Sequence, residues 1–232
     1  MDLREWHIDY AALIRDAKTI QEKRNRLGNG VFDLATRIYQ RLIQRPTLVD
    51  EIEYCSFWYG FDNSSWLELK GKAPLNETIE DRVVFVVGSS APLVAESAKK
   101  ASSWLRGLIG PTERRFGPQY DKGHFIARSN GGGLQFNIFP QRRDLNRTWS
   151  CEGRLFREME TYCHRHPKTL CFSRPIYLHE SLRPDAYDFG LLKEDGNPWV
   201  AQFDNQEIPG DDRRSFVISA TGIPRKRCAS CA

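Results

Sequence analysis

Apolar side chains recur at helical spacing over residues 2–27, where Trp6, Tyr10, Leu13, Ile14, Ala17, Ile20 and Leu27 fall along one stripe. Gly28-Asn29-Gly30 follows and reads as the punctuation that ends this helix. A second helical pattern (Val31, Leu34, Ile38, Tyr39, Leu42, Ile43) halts before Pro46, whose ring is hostile to a continuing helix. The pattern then changes. Residues 52–61 (IEYCSFWYGF) are aromatic and strand-like, and residues 82–87 (RVVFVV) form the short apolar run of a buried strand. Leu93, Val94, Ala98 and Leu105 predict a helix ending at Gly107 or Gly110. Two prolines and two glycines among basic residues make 110–119 the best candidate boundary. Beyond it, short strands at 125–128 and 134–139 flank a turn at Asn130-Gly131-Gly132-Gly133, and a helical pattern returns over 142–163. Strands are predicted at 169–177, 187–192, 199–203 and 215–219, with Asp195-Gly196 as a hairpin turn. The expected class is α+β: a mixed α/β N-terminal region over 1–105 without a catalytic signature, then a unit over 106–232 ordered strand, strand, helix and antiparallel strands.

Composition adds bounds. The 232 residues suffice for one large domain or a core with an extension. A content of 40% hydrophobic, 28% charged and 12% aromatic residues is ordinary for a globular chain. No segment approaches the roughly 18 apolar residues of a membrane span. The start, MDLREWHIDY, lacks the basic opening and apolar run of a signal peptide. The expectation is a cytoplasmic chain that leaves the cell, if it does, by a signal-independent route. A net charge of +4 does not by itself imply a polyanionic partner. Its distribution says more: Arg114, Arg115, Lys122 and Arg128 are followed closely by Arg142, Arg143, Arg147, Arg154 and Arg157. Six cysteines are scattered through a chain too large to need a disulfide framework, so reduced thiols are expected. Cys228 and Cys231 form a lone CxxC; a zinc site needs four ligands, and Cys163, His164 and His166 could supply the rest only by folding back.

The basic segment carries the candidate chemistry. Asp121-Lys122-Gly123-His124 sets an imidazole beside an acid, a base and a permissive glycine, and the pattern has His124 opening a strand. A turn and a second strand follow, then a helix bearing Asp144 and Asn146. Such an arrangement can hold an imidazole and an amide oxygen on two sides of one cleft, with a phosphodiester between a general base and a metal.

Three blocks in order, Asp121-Lys122-Gly123-His124, Asn137-Ile138-Phe139-Pro140-Gln141, and Asp144-Leu145-Asn146 with Trp149, resemble the signature of the DNA/RNA non-specific endonucleases. These form the Serratia-type branch of the ββα-metal nucleases. The resemblance spans roughly 110–205, and the segments HFIARSNGGG and WSCEGRLFREME look closest to nuclease domains of bacterial toxins. It implies a ββα-metal nuclease core with an antiparallel sheet, acting on DNA and RNA without base specificity. His124 would be the general base that deprotonates water, its ring oriented by a backbone carbonyl or another acceptor. Asn146 would be the single protein ligand of Mg²⁺, with Mn²⁺ or another divalent cation able to replace it. Lys122 stands where the family has Arg, keeping charge but losing the bidentate fork. The family's Glu two turns beyond the metal Asn falls on Arg154. Of the nearby acids Glu152, Glu158 and Glu160, Glu152 is the candidate to hold a metal-bound water, leaving Arg154 or Arg157 for phosphate. Asn137 ties the second strand to the catalytic loop, while Gln141 and Trp149 read as scaffold, the Trp capping a core. The toxin-like form implies a small acidic immunity protein over Arg142, Arg143, Arg147 and Arg154. The rival readings are a nucleic-acid-binding module that has lost catalysis and a sensor dominated by residues 1 to about 105.

Overall fold

The computed structural model describes residues 2–43, 46–64, 81–92, 116–133 and 137–206. RVVFVV does form a buried strand, and it explains the architecture. Successive side chains of a strand point to opposite faces, so an unbroken apolar run needs cover on both. This run lies in β3 (Arg82–Ser89), which is inside a six-stranded antiparallel sheet. The order is β1 (Val49–Tyr54), β2 (Phe57–Asp62), β3, β6 (Leu170–Ile176), β7 (Ala186–Leu192) and β8 (Pro198–Asp204). Val86 faces Ser173 where β3 meets β6. Strands from residues 1–105 and from residues 106–232 therefore share one sheet, while the expected division at 105/106 lies outside the described residues.

One face carries the N-terminal helices. Trp6, Tyr10, Leu27, Val31, Ala35, Ile38 and Tyr39 pack with Phe85, Val87, Phe172 and Ile176. The single helix expected over 2–27 is broken: a 3₁₀ turn Leu3–Trp6, α1 (Tyr10–Ile14) and α2 (Ile20–Asn25) replace it. Asp9 and Thr19 are the reason, because their side chains accept from the amides of Ala12 and Glu22 and so restart the helix as N-caps. Conversely, Gly28-Asn29-Gly30 is no stop. Arg26–Gly30 is a π-helical turn that runs straight into α3 (Val31–Leu42).

The strand expected over 52–61 is a hairpin, β1 and β2, turned by Cys55 at φ 60° and Ser56 without a glycine or proline to announce it. The Asp195-Gly196 turn is as expected, with Gly196 at φ 77° between β7 and β8. The expected helix at 93–105, the strand at 215–219, and Cys228 and Cys231 lie outside the described residues.

The opposite face carries the ββα unit. β4 (Tyr120–His124) and β5 (Ile138–Arg142) form a separate two-stranded sheet, Tyr120 opposite Arg142 and His124 opposite Ile138. The first strand thus lies earlier than the expected 125–128 and the second runs later than the expected 134–139, and His124 closes β4 instead of opening a strand. Phe125 and Ile126 are buried without further ladder pairing, Phe125 stacked on Phe139 with centroids 4.3 Å apart. Arg128–Asn130 is a 3₁₀ turn, and Gly131 takes the left-handed conformation at φ 93° that closes it. The helix expected over 142–163 is two helices, α4 (Arg143–Asn146) and α5 (Cys151–Arg165). Phe156 fastens α5 to the sheet through edge contacts with Tyr187, Phe189 and Phe203 at 5.7, 5.3 and 5.2 Å. Burying such a ring contributes about 1.5–3 kcal/mol, so this aromatic set helps tie α5 to β7–β8.

Candidate active site

The Asp-Lys-Gly-His block is β4 itself. Its glycine answers to packing: a Cβ on Gly123 would sit 2.3 Å from the Cβ and Oε1 of Gln141. Gln141 is fully buried and donates to the Tyr187 hydroxyl at 2.5 Å, tying the hairpin to the main sheet. Asn137 serves the same end beyond the ladder. Its Oδ1 accepts from the Ile126 amide at 2.9 Å, and its Nδ2 donates to the carbonyls of Ile126 at 2.7 Å and Gly133 at 2.8 Å. Buried at zero exposure, it holds both the N–H and the C=O of Ile126 in the chain leaving His124.

His124 is half-buried at the end of this strand. Burial, and then the positive charge of Arg128, hold its imidazole below the ordinary histidine value of 6.5, which favours the neutral ring. The acceptor expected to orient that ring is not found among the described residues.

Asp121 is the junction between strand and helix. It accepts from Arg147 at 2.7 and 3.0 Å, from Arg143 Nε at 3.1 Å and from Asn146 Nδ2 at 3.4 Å. Burial pushes its carboxyl up, but the bonds from Arg147, Asn146 and Arg143 outweigh it, and the net shift is downward. The carboxylate therefore stays ionised and clamps α4 to β4. With Nδ2 directed at Asp121, the amide oxygen of Asn146 is the atom left for another partner. Lys122, the next residue on β4, is exposed.

α4 ends where Thr148 adopts φ 60°, and α5 restarts with Ser150, whose side chain accepts from the Gly153 amide at 3.0 Å. Gly153 lets the two helices close. A Cβ there would lie 2.6 and 2.8 Å from the carbonyl oxygens of Asp144 and Leu145.

Glu152 is buried and bonded to Arg142, itself only 4% exposed, which also holds Asp144 through Nε at 2.6 Å. Burial pushes the Glu152 carboxyl up and Arg142 pulls against it, with the upward shift prevailing. This pair supports the α4–α5 corner. Arg154 is exposed on the first turns of α5, its guanidinium 3.1 Å from the Cys151 sulfur. Of the other two acids, Glu158 is exposed and Glu160 is buried, its carboxyl pushed up to about 7 by burial against the pull of Arg157. Arg142, Arg143 and Arg147 are thus bonded to this chain's own carboxylates and do not require an acidic partner to balance their charge.

Two further expectations are corrected. Trp149 caps no core: it is 63% exposed, with the Arg147 guanidinium 5.1 Å from its ring centroid. Cys151 is not a reduced thiol but disulfide-bonded. Cys55, Cys163 and Cys171 are free. Sequence reading also missed Asn205, which is fully buried and joins the hairpin to β8. It accepts from the Arg142 amide at 2.7 Å and donates to the carbonyls of Pro140 and Pro184 at 2.9 and 2.8 Å. No local pattern marks that residue.

No protein-family model matches the chain, and no curated protein matches it. Among solved structures, the chain is similar to the EndoG/EndoGI complex, a structure addressing EndoG inhibition, at 16% identity and a TM-score of 0.42 over 75% of this chain and 82% of that one. It is also similar to Sda1 nuclease with a bound zinc ion, at 14% identity and a TM-score of 0.34 over 76% and 78%. At these scores neither likeness adds to the geometry. The α+β fold, with its antiparallel sheet and strand-strand-helix unit, is consistent with a ββα-metal nuclease. Among the described residues no helix is long and apolar enough to cross a membrane, and no group of three or more His, Cys, Asp or Glu could hold a metal.

Proposed function

We infer that this chain is a metal-dependent endonuclease that hydrolyses phosphodiester bonds of DNA and RNA without reading bases. The observation that carries the reading is the junction at Asp121, which joins the strand ending in His124 to the short helix carrying Asn146. His124, kept neutral at physiological pH by burial and Arg128, takes a proton from the attacking water. The water oxygen bonds to phosphorus, the bond to the 3′ oxygen breaks, and that oxygen takes a proton from solvent. Because water is the nucleophile, no 2′-hydroxyl is required.

The donor chemistry fits a hard divalent cation. Asn146 offers one neutral amide oxygen, and Mg²⁺ accepts oxygen ligands while keeping most of its waters. Bound there, the cation would supply Lewis-acid stabilisation of the charge that builds on the phosphate. Asp121 fixes the amide so that its oxygen points away from the clamp. Arg154, exposed on α5, contributes a phosphate contact, whereas Glu152 supports Arg142 and does not orient a metal-bound water.

Plasmid DNA and a long RNA, each incubated with the full chain, test the reading together. Both should be degraded in Mg²⁺, neither in EDTA, and restored Mg²⁺ should restore both. Undiminished cleavage in EDTA, or cleavage of RNA alone, overturns it.

A further inference from the structure

We propose that Trp149 is the platform on which an unpaired nucleobase beside the scissile phosphate stacks, so that the site takes single-stranded or locally opened nucleic acid in preference to continuous duplex. This rests on the nuclease reading above and names the substrate form that the same site selects.

Three large hydrophobic side chains are exposed among the described residues, and Trp149, at 63%, is the most exposed of them, ahead of Ile20 and Trp58. Its position is built, not frayed. The turn between α4 and α5 passes through Thr148 at φ 60°, a conformation that a β-branched residue adopts only when its surroundings impose it. The Trp149 amide donates to the Asp144 carbonyl at 2.9 Å. Arg147 then lies over the indole, 5.1 Å from the ring centroid, while its own guanidinium is bound twice to Asp121 at 2.7 and 3.0 Å. Asp121 also accepts from Asn146. The indole is thus tied, through one guanidinium and one carboxylate, to the residue proposed to hold the metal.

A guanidinium backs one face of the ring, and the exposure that remains offers aromatic surface to solvent beside the site. The exposed indole is available to a ligand, and aromatic stacking is the interaction every base can make whatever its identity. A base inside a continuous duplex has both faces covered by its neighbours, so it must be unstacked before it can use this surface. A single strand pays far less of that cost. Selection therefore follows from the form of the nucleic acid and leaves base identity unread.

The test compares the full chain with Trp149→Ala and Trp149→Phe on one oligonucleotide, presented as a single strand and as a duplex in Mg²⁺. Circular dichroism establishes that each variant is folded. The wild type should show the lower KM on the single strand. Trp149→Ala should raise that KM about tenfold or more, the scale of one lost base stack. Its kcat, and both constants on the duplex, should change little by comparison, and Trp149→Phe should recover most of the single-strand KM. An equal loss on both substrates, a loss confined to kcat, or an unchanged single-strand KM overturns the platform while leaving the nuclease reading intact. A wild type that cuts neither substrate overturns the nuclease reading, and the platform with it.

Discussion

At the scale of single residues, His124 must be neutral to act as a general base. Burial is the larger cause of that neutrality and Arg128 the second, and both disfavour the imidazolium. A general base works only when unprotonated, so activity should fall as pH drops through a value below the ordinary 6.5. Replacing Arg128 by Gln removes one of the two penalties on the charged ring. The acid limb of kcat against pH should then move to higher pH, while the variant's rate on the plateau stays near wild type. A limb that stays in place or moves down would show that Arg128 does not act on His124. Asp121, His124 and Asn146, on which the proposed function rests, stand out in the sequence because they lie within short, ordered blocks. Their supports do not. Gln141 reaches Tyr187, 46 residues away, and the Arg142 amide reaches Asn205, 63 residues away, and no local spacing encodes such pairs. Trp149 and Arg142 were misread for a related reason: residue type predicts average burial, and here an indole lies outside while a guanidinium is enclosed by two carboxylates.

At the scale of elements, the α4–α5 corner decides where the Asn146 amide lies. It depends on Gly153, where a Cβ would come within 2.6 Å of the Asp144 carbonyl oxygen. Gly153→Ala should push the helices apart at a cost of about 1–3 kcal/mol, as overpacking typically does. Thermal unfolding should register that loss, and the Mg²⁺ concentration needed for half-maximal cleavage should rise as Asn146 shifts. A variant with unchanged melting and unchanged Mg²⁺ dependence would remove the corner from the account. Hydrophobic periodicity found α5 but ran it together with α4, because a stripe of apolar positions continues through a turn made by Thr148 and capped by Ser150. The same continuity hid the N-terminal caps at Asp9 and Thr19. Caps were readable in principle, but the stripe outweighed them. The β1–β2 turn at Cys55 carried no readable signal at all.

At the scale of the whole molecule, the sheet joins what the sequence separated. β3 pairs with β6 through Val86 and Ser173, and Val86 lies in the same apolar cluster as Phe125, Phe139, Phe156 and Tyr187. Residues 106–232 alone would keep β4–β8 but lose β1–β3, leaving the β6 edge unpaired and part of that cluster uncovered. Expressed as a fragment, they should lack near-ultraviolet circular dichroism and a cooperative thermal transition; a fragment that melts cooperatively and cuts DNA would restore the boundary near residue 105. Individual strands were visible as apolar runs, but their order was not, since pairing across a sheet depends on which faces must be covered and not on neighbouring sequence. The central claim is that the chemistry belongs to His124 on the strand joined to Asn146 through Asp121. The most direct measurement is the rate of plasmid cleavage, at the Mg²⁺ concentration that saturates the wild type, by wild type, His124→Ala and Asn146→Ala, each verified as folded by circular dichroism. The rate should fall about a hundredfold or more for His124→Ala, the usual scale for a general base, and comparably for Asn146→Ala, where added Mg²⁺ should recover part of the loss. A folded His124→Ala variant that cuts at the wild-type rate would contradict the central claim.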